Sequence, residues 1–159
     1  MIATALLSLA LVQTAATAQP TADPKDVETP QAVVNALYSV ISGPKGEKRN
    51  WNRFKSLFTK NGSLNGVALS REGKPSMFSL TLDEYITNFE RMTAQTGFWE
   101  EQAGEPKIRK GEYTAHIESN YLSRHAERGS VVQTGINYIQ LTSNGQRWFI
   151  TSITWEPTK

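Results

Sequence analysis

There is no cysteine among the 159 residues. That excludes disulfides, thiol catalysis and a lipidated N-terminal cysteine. Histidine occurs twice, at His116 and His125. Neither is placed with the helical or hairpin ligand spacing of a zinc site, so no metal is expected. Aspartate occurs only at Asp23, Asp26 and Asp83. Strong charge of one sign is missing too: the net charge is +2 and the basic residues are scattered. The densest basic run, Lys45 to Arg49, includes Gly46 and Glu47. It reads as a solvated loop rather than a nucleic-acid footprint, which needs clustered Lys and Arg with aromatics between them. Gly62, Gly66 and Gly73 do not form a phosphate-binding loop, no cofactor is expected, and there is no internal repeat.

The remaining composition, with 38% hydrophobic residues, suits a single domain with a real core. Ile2 to Val12 is almost wholly apolar but too short to span a bilayer. Ala16-Thr17-Ala18 then offers the small residues of a signal-peptidase site. Residues 1–18 are therefore expected to be a signal peptide, although no Lys or Arg precedes the apolar run. The protein is expected to be exported, to the periplasm or outside the cell, with no stable membrane anchor after cleavage. Residues 19–28 carry Pro20, Pro24 and charges without periodicity and read as a flexible linker. A single domain is expected over 29–157.

Thr29-Pro30 supplies a helix cap with proline at the first helical position. Val33, Val34, Leu37, Tyr38 and Ile41 follow at helical spacing, up to Gly43-Pro44. Trp51, Phe54, Leu57 and Phe58 fit a second, short helix. Leu64, Val67 and Leu69 suggest a strand that turns at Gly73-Lys74-Pro75 and begins its return at Met77-Phe78. Thr81-Leu82-Asp83-Glu84 is a capping box, with Leu80 and Tyr85 placed for a hydrophobic staple, and it starts a third helix through Met92. From Phe98 the period changes to two. Strands are expected from Phe98 to Gln102, continuing after Pro106 to Arg109, then from Tyr113 to Ser123, then in a closing pair. Pro106 argues for an edge or a bulge. The order is that of an α+β fold, with about three N-terminal helices on one face of a strongly curved, mostly antiparallel sheet.

The closing pair, Val131 to Leu141 and Arg147 to Trp155, flanks Asn144-Gly145, a strong hairpin signal. A two-residue turn would pair Leu141 with Trp148, Ile139 with Ile150, Asn137 with Ser152, and Gly135 with Thr154. This face grades from apolar to small and polar, which suits a cavity wall. The other face would hold Tyr138, Phe149, Ile153 and Trp155 and suits contact with a second sheet or subunit.

Several stretches resemble the nuclear transport factor 2-like superfamily, particularly small bacterial proteins of the SnoaL-like kind. They are residues 36–44, 51–58, Gly97-Phe98-Trp99-Glu100, Ala115-His116-Ile117, 135–141 and 147–155. The resemblance implies a cone in which the bent sheet wraps around helices and leaves a cavity. It implies homodimers through the outer sheet face, and functions from isomerases, cyclases and dehydratases to non-catalytic binding domains. None of the stretches is a catalytic signature.

Enzymes of that superfamily often place an Asp in the pocket, but here no strand carries one. A pocket carboxylate must be Glu100, Glu101, Glu112 or Glu118. A tight turn at Arg128-Gly129 would put His116, Glu118 and Asn120 on the same face as Asn137 and Ser152, where His116 could titrate beside Glu118 or Glu100. A three-residue loop would instead bring Tyr113, Ile117 and Tyr121 there. The expected ligand pocket is Asn120, Asn137, Ser152 and Trp99. The expected function is binding of a small molecule in the cavity. A cofactor-free isomerase, cyclase or dehydratase using His116, or a dimeric protein-interaction module, stands as the alternative.

Overall fold

A computed structural model describes residues 19–158; the expected signal peptide lies outside the described residues. Three short segments lead into the sheet: α1 (Pro24–Val27), α2 (Pro30–Ile41) and α3 (Trp51–Ser56). β1 (Phe58–Leu69), β2 (Pro75–Thr81) and α4 (Leu82–Thr93) follow, then β3 (Trp99–Gln102), β4 (Lys107–Lys110), β5 (Thr114–Arg124), β6 (Val131–Ser143) and β7 (Trp148–Pro157). The strands form one open, seven-stranded sheet in the order β2-β1-β7-β6-β5-β3, with β4 also on β5. β1 runs parallel to β7 and the other pairs are antiparallel.

The local signals do what their chemistry demands. The Thr29 hydroxyl accepts from the Ala32 N–H at 3.0 Å, and Pro30 opens α2. Thr81 and Glu84 exchange both bonds of the capping box at the start of α4. Val33, Val34, Phe54, Leu57 and Phe58 are fully buried against Ile117, Ile139 and Ile150 of the sheet.

Two expected loops make buried contacts. Residues 19–28 are not a free linker: Asp23 caps α1, Val27 and Ala22 are buried, and Asp26 takes a bidentate bond from Arg53 at 2.7 and 2.9 Å. Two apolar contacts and one ion pair outweigh the disorder-promoting composition. In the Lys45 to Arg49 run, Lys45 to Lys48 form an exposed loop as expected, and only Arg49 is buried. Its guanidinium donates to the carbonyls of Ile41, Gly43 and Glu47 at 2.7–2.8 Å. It thereby satisfies acceptors left open where α2 ends.

The closing hairpin departs from the two-residue turn. Among the described residues no non-glycine residue has positive φ, so Asn144 cannot occupy the first position of a type I′ turn. Instead its side chain accepts the N–H groups of Gln146 and Arg147, both at 3.0 Å, and the first pair becomes Ser143 with Trp148. Farther along, Leu141 pairs Ile150 but Gln140 pairs Ser152, leaving Thr151 as a bulge. One extra residue exchanges the faces of the rest of β7. Ile153 and Trp155 turn inward, and Thr154 lies exposed. The register of β1 on β7 is broken beside the same point, between Phe58 and Ser63.

Candidate functional site

The concave side of the sheet and α4 enclose a cavity of about 470 Å³, within the size range of small-molecule sites. Its walls are mostly apolar: Leu37 and Ile41 from α2, Leu64 from β1, Ile153 from β7, and a set of aromatic rings. The rings are in mutual contact. Phe78 meets Trp155 at 5.3 Å, Trp155 meets Tyr85 at 6.4 Å, Tyr85 meets Phe89 at 5.6 Å, and Phe89 meets Phe98 at 5.0 Å. Asn88, Met92 and Gln133 line it at exposed positions.

Two glycines make the ring positions possible. Gly66 pairs with Phe78 on one side and Trp155 on the other. A Cβ at Gly66 would collide with both rings, so the glycine lets them meet across β1. Gly135 pairs with Tyr121, and a Cβ there would strike the Tyr121 ring.

One carboxyl group enters this apolar space. Glu100 projects into the cavity from the edge strand β3. Asn137 on β6 donates from Nδ2 to Glu100 Oε1 at 3.0 Å and to the Tyr38 hydroxyl at 3.0 Å. The Tyr38 hydroxyl bonds the buried Ser119 Oγ at 2.9 Å, and Gln102 Nε2 donates to the same oxygen at 3.4 Å. Removal from water pushes the Glu100 carboxyl up to about 7; the Asn137 bond opposes the shift only in part. Burial, helped by the nearby Glu100 charge, raises Tyr38 and Tyr121 to about 12 and raises Tyr85 as well. The three phenols therefore remain neutral donors across the physiological range. Among the described residues, no Lys, Arg or His lines the cavity, and no three of His, Cys, Asp and Glu converge as a metal-binding set.

Of the expected site residues, Glu100 and Asn137 come together here. The others do not. β5 and β6 pair Ser119 with Asn137 and His116 with Gln140. This is the face assignment of the alternative register, with Ile117 and Tyr121 inward, while Tyr113 is exposed. His116 lies on the convex face, 2.6 Å from Gln140 Nε2, 3.8 Å from Glu118 and stacked on Tyr138. A base on that side of the sheet cannot reach a ligand in the cavity, so the His116 mechanism is corrected. Glu118 shares the convex face with Lys107 at 3.5 Å, and Asn120 is exposed. Glu101 pairs with Arg124 at 2.6 Å, and Glu112 is exposed. The bulge takes Ser152 out of the cavity lining, and Trp99 packs over Gly97 rather than into the cavity. Of the expected interface residues, Tyr138 and Phe149 are half-buried on the convex face. Ile153 and Trp155 belong to the interior. Tyr38, Ser119, Gln102, Phe78 and Tyr85 were absent from the expected site. Mid-strand Gly66 and Gly135 were the available signal, since a strand glycine often marks the close approach of another group.

No family model and no curated protein matches the chain. Solved structures do. A protein of unknown function with a cystatin-like fold from Nostoc punctiforme aligns at TM-score 0.60 and 14% identity, over 80% of this chain and 87% of its own. A candidate dehydratase of the nuclear transport factor 2-like family from Streptomyces avermitilis aligns at 0.56 and 18%, over 84% and 96%. A candidate ketosteroid isomerase from Parabacteroides distasonis aligns at 0.53 and 13%, over 82% and 88%. The chain thus has the nuclear transport factor 2-like fold, an α+β cone with an open, curved sheet. At these identities the likeness concerns the fold and does not define an activity.

Proposed function

We propose that the protein binds a small, mostly apolar molecule in the cone cavity, with Glu100 and Asn137 engaging its polar group. The observation that carries this is a single half-buried carboxyl facing an otherwise aromatic and aliphatic chamber. Mass spectrometry of protein purified under native conditions tests it. A co-purifying small molecule that is depleted in Glu100→Gln is expected. Preparations that carry none, and that take up no apolar probe at millimolar concentration, would overturn the proposal.

A second reading is cofactor-free proton transfer, as in an isomerase or dehydratase, with Glu100 rather than His116 as the acid–base group. A carboxyl titrating about 7 beside an amide donor and neutral phenols supports it. Turnover of the identified ligand that rises with Glu100 ionisation and vanishes in Glu100→Gln would favour this reading. Unchanged ligand after prolonged incubation would leave only binding. We also propose export after removal of residues 1–18; the intact mass of the exported protein checks it, and a chain that begins at Met1 would refute it.

A further inference from the structure

We propose that the cavity selects a cationic, aromatic or alicyclic amine, its ammonium held by Glu100 within the aromatic walls. This inference rests on the binding reading above and names the class of ligand.

The argument begins with charge. Among the described residues, Glu100 is the only group in the cavity lining that ionises near neutrality, and no cation lines the cavity beside it. Asn137 occupies Oε1. No described group bonds Oε2, and it is not among the sealed, unpartnered polar atoms, so it is open to a ligand. An acidic ligand would meet this carboxylate without any positive group to offset the repulsion. A neutral ligand would gain one hydrogen bond. An ammonium would gain a charge-assisted bond to Oε2.

The walls favour the same sign. Phe78, Trp155, Tyr85, Phe89, Phe98 and Tyr121 line the cavity, and aromatic faces attract cations, most strongly when water is excluded. A ring system on the ligand would in turn pack against these side chains. The groups facing Glu100 are the phenols of Tyr38 from α2, Tyr85 from α4 and Tyr121 from β5, together with the Asn137 amide from β6. None of them changes charge between about pH 6 and 8, so the pH response of the site belongs to Glu100.

The test compares naphthylmethylamine, naphthylmethanol and naphthoic acid by calorimetry on the full protein. The amine is expected to bind at least about tenfold more tightly than the alcohol at about pH 8, with the acid weakest. Its affinity is expected to fall by about tenfold at about pH 6, because a carboxyl titrating about 7 is then mostly protonated while the amine keeps its charge. Glu100→Gln should erase both the preference and the pH response, and the wild-type pH series reads the effect even if that variant folds poorly. Equal or tighter binding of the alcohol or the acid would overturn the amine proposal and leave the cavity-binding reading standing. Failure of all three probes, in protein that also carries no native ligand, would overturn both.

Discussion

Glu100 sits where its charge is disfavoured, and that has a measurable cost. Its carboxyl titrates about 7 in the fold against an ordinary value of 4.5. A raised carboxyl contributes stability that is complete below about pH 4.5 and is lost as pH rises through about 7. The loss is about 3 kcal/mol at roughly 1.4 kcal/mol per unit. Urea unfolding of the wild type and of Glu100→Gln across that window is expected to show the wild type losing about 3 kcal/mol relative to the variant, since the other carboxylates cancel in the difference. Parallel pH profiles would mean that Glu100 is solvated. The residue types of the site were only partly legible in the sequence. The lack of strand aspartates narrowed the pocket carboxylate to a few glutamates. Choosing Glu100 over Glu118 required knowing which face of β5 points inward, and alternation alone does not reveal that.

Elements were more legible than faces. Caps and periodicity act over a few residues, so α2 and α4 begin where Thr29 and Thr81 place them. The hairpin signal was also local, but its register was not. Asn144 commits its side chain to an Asx turn, and the Thr151 bulge against β6 lies beside the register break of β1, which is distant in sequence. The turn shifts the expected register by two residues and keeps the faces, whereas the bulge alone carries Ile153 and Trp155 from the expected convex face to the interior. Deleting Thr151 is expected to leave Ile150 with Leu141 and Ser152 with Gln140 as consecutive pairs, so Ile153 and Trp155 stay inward. Inserting one alanine between Ser152 and Ile153 is instead expected to turn Thr154 inward and expose Ile153 and Trp155, at a cost of about 4 kcal/mol or more from lost apolar burial and a buried hydroxyl. Thermal denaturation checks it. An insertion variant as stable as the parent would show that β7 can slip without penalty and that its register does not define the cavity wall.

At the scale of the molecule, the cone has a cavity on its concave side and an uncovered convex face. Tyr138 and Phe149 remain half-buried on the convex face, and we propose that this face pairs two copies of the chain. Light scattering is expected to report a dimer at micromolar concentration and a monomer for Tyr138→Glu, which places charge in the contact; a wild-type monomer would refute the pairing. The concave side has a more direct test, the NMR titration of the Glu100 carboxyl carbon with and without naphthylmethylamine. A midpoint about 7 in the free protein, driven down by the amine, is the predicted result. An ordinary midpoint about 4.5 that the amine leaves unchanged would contradict the account.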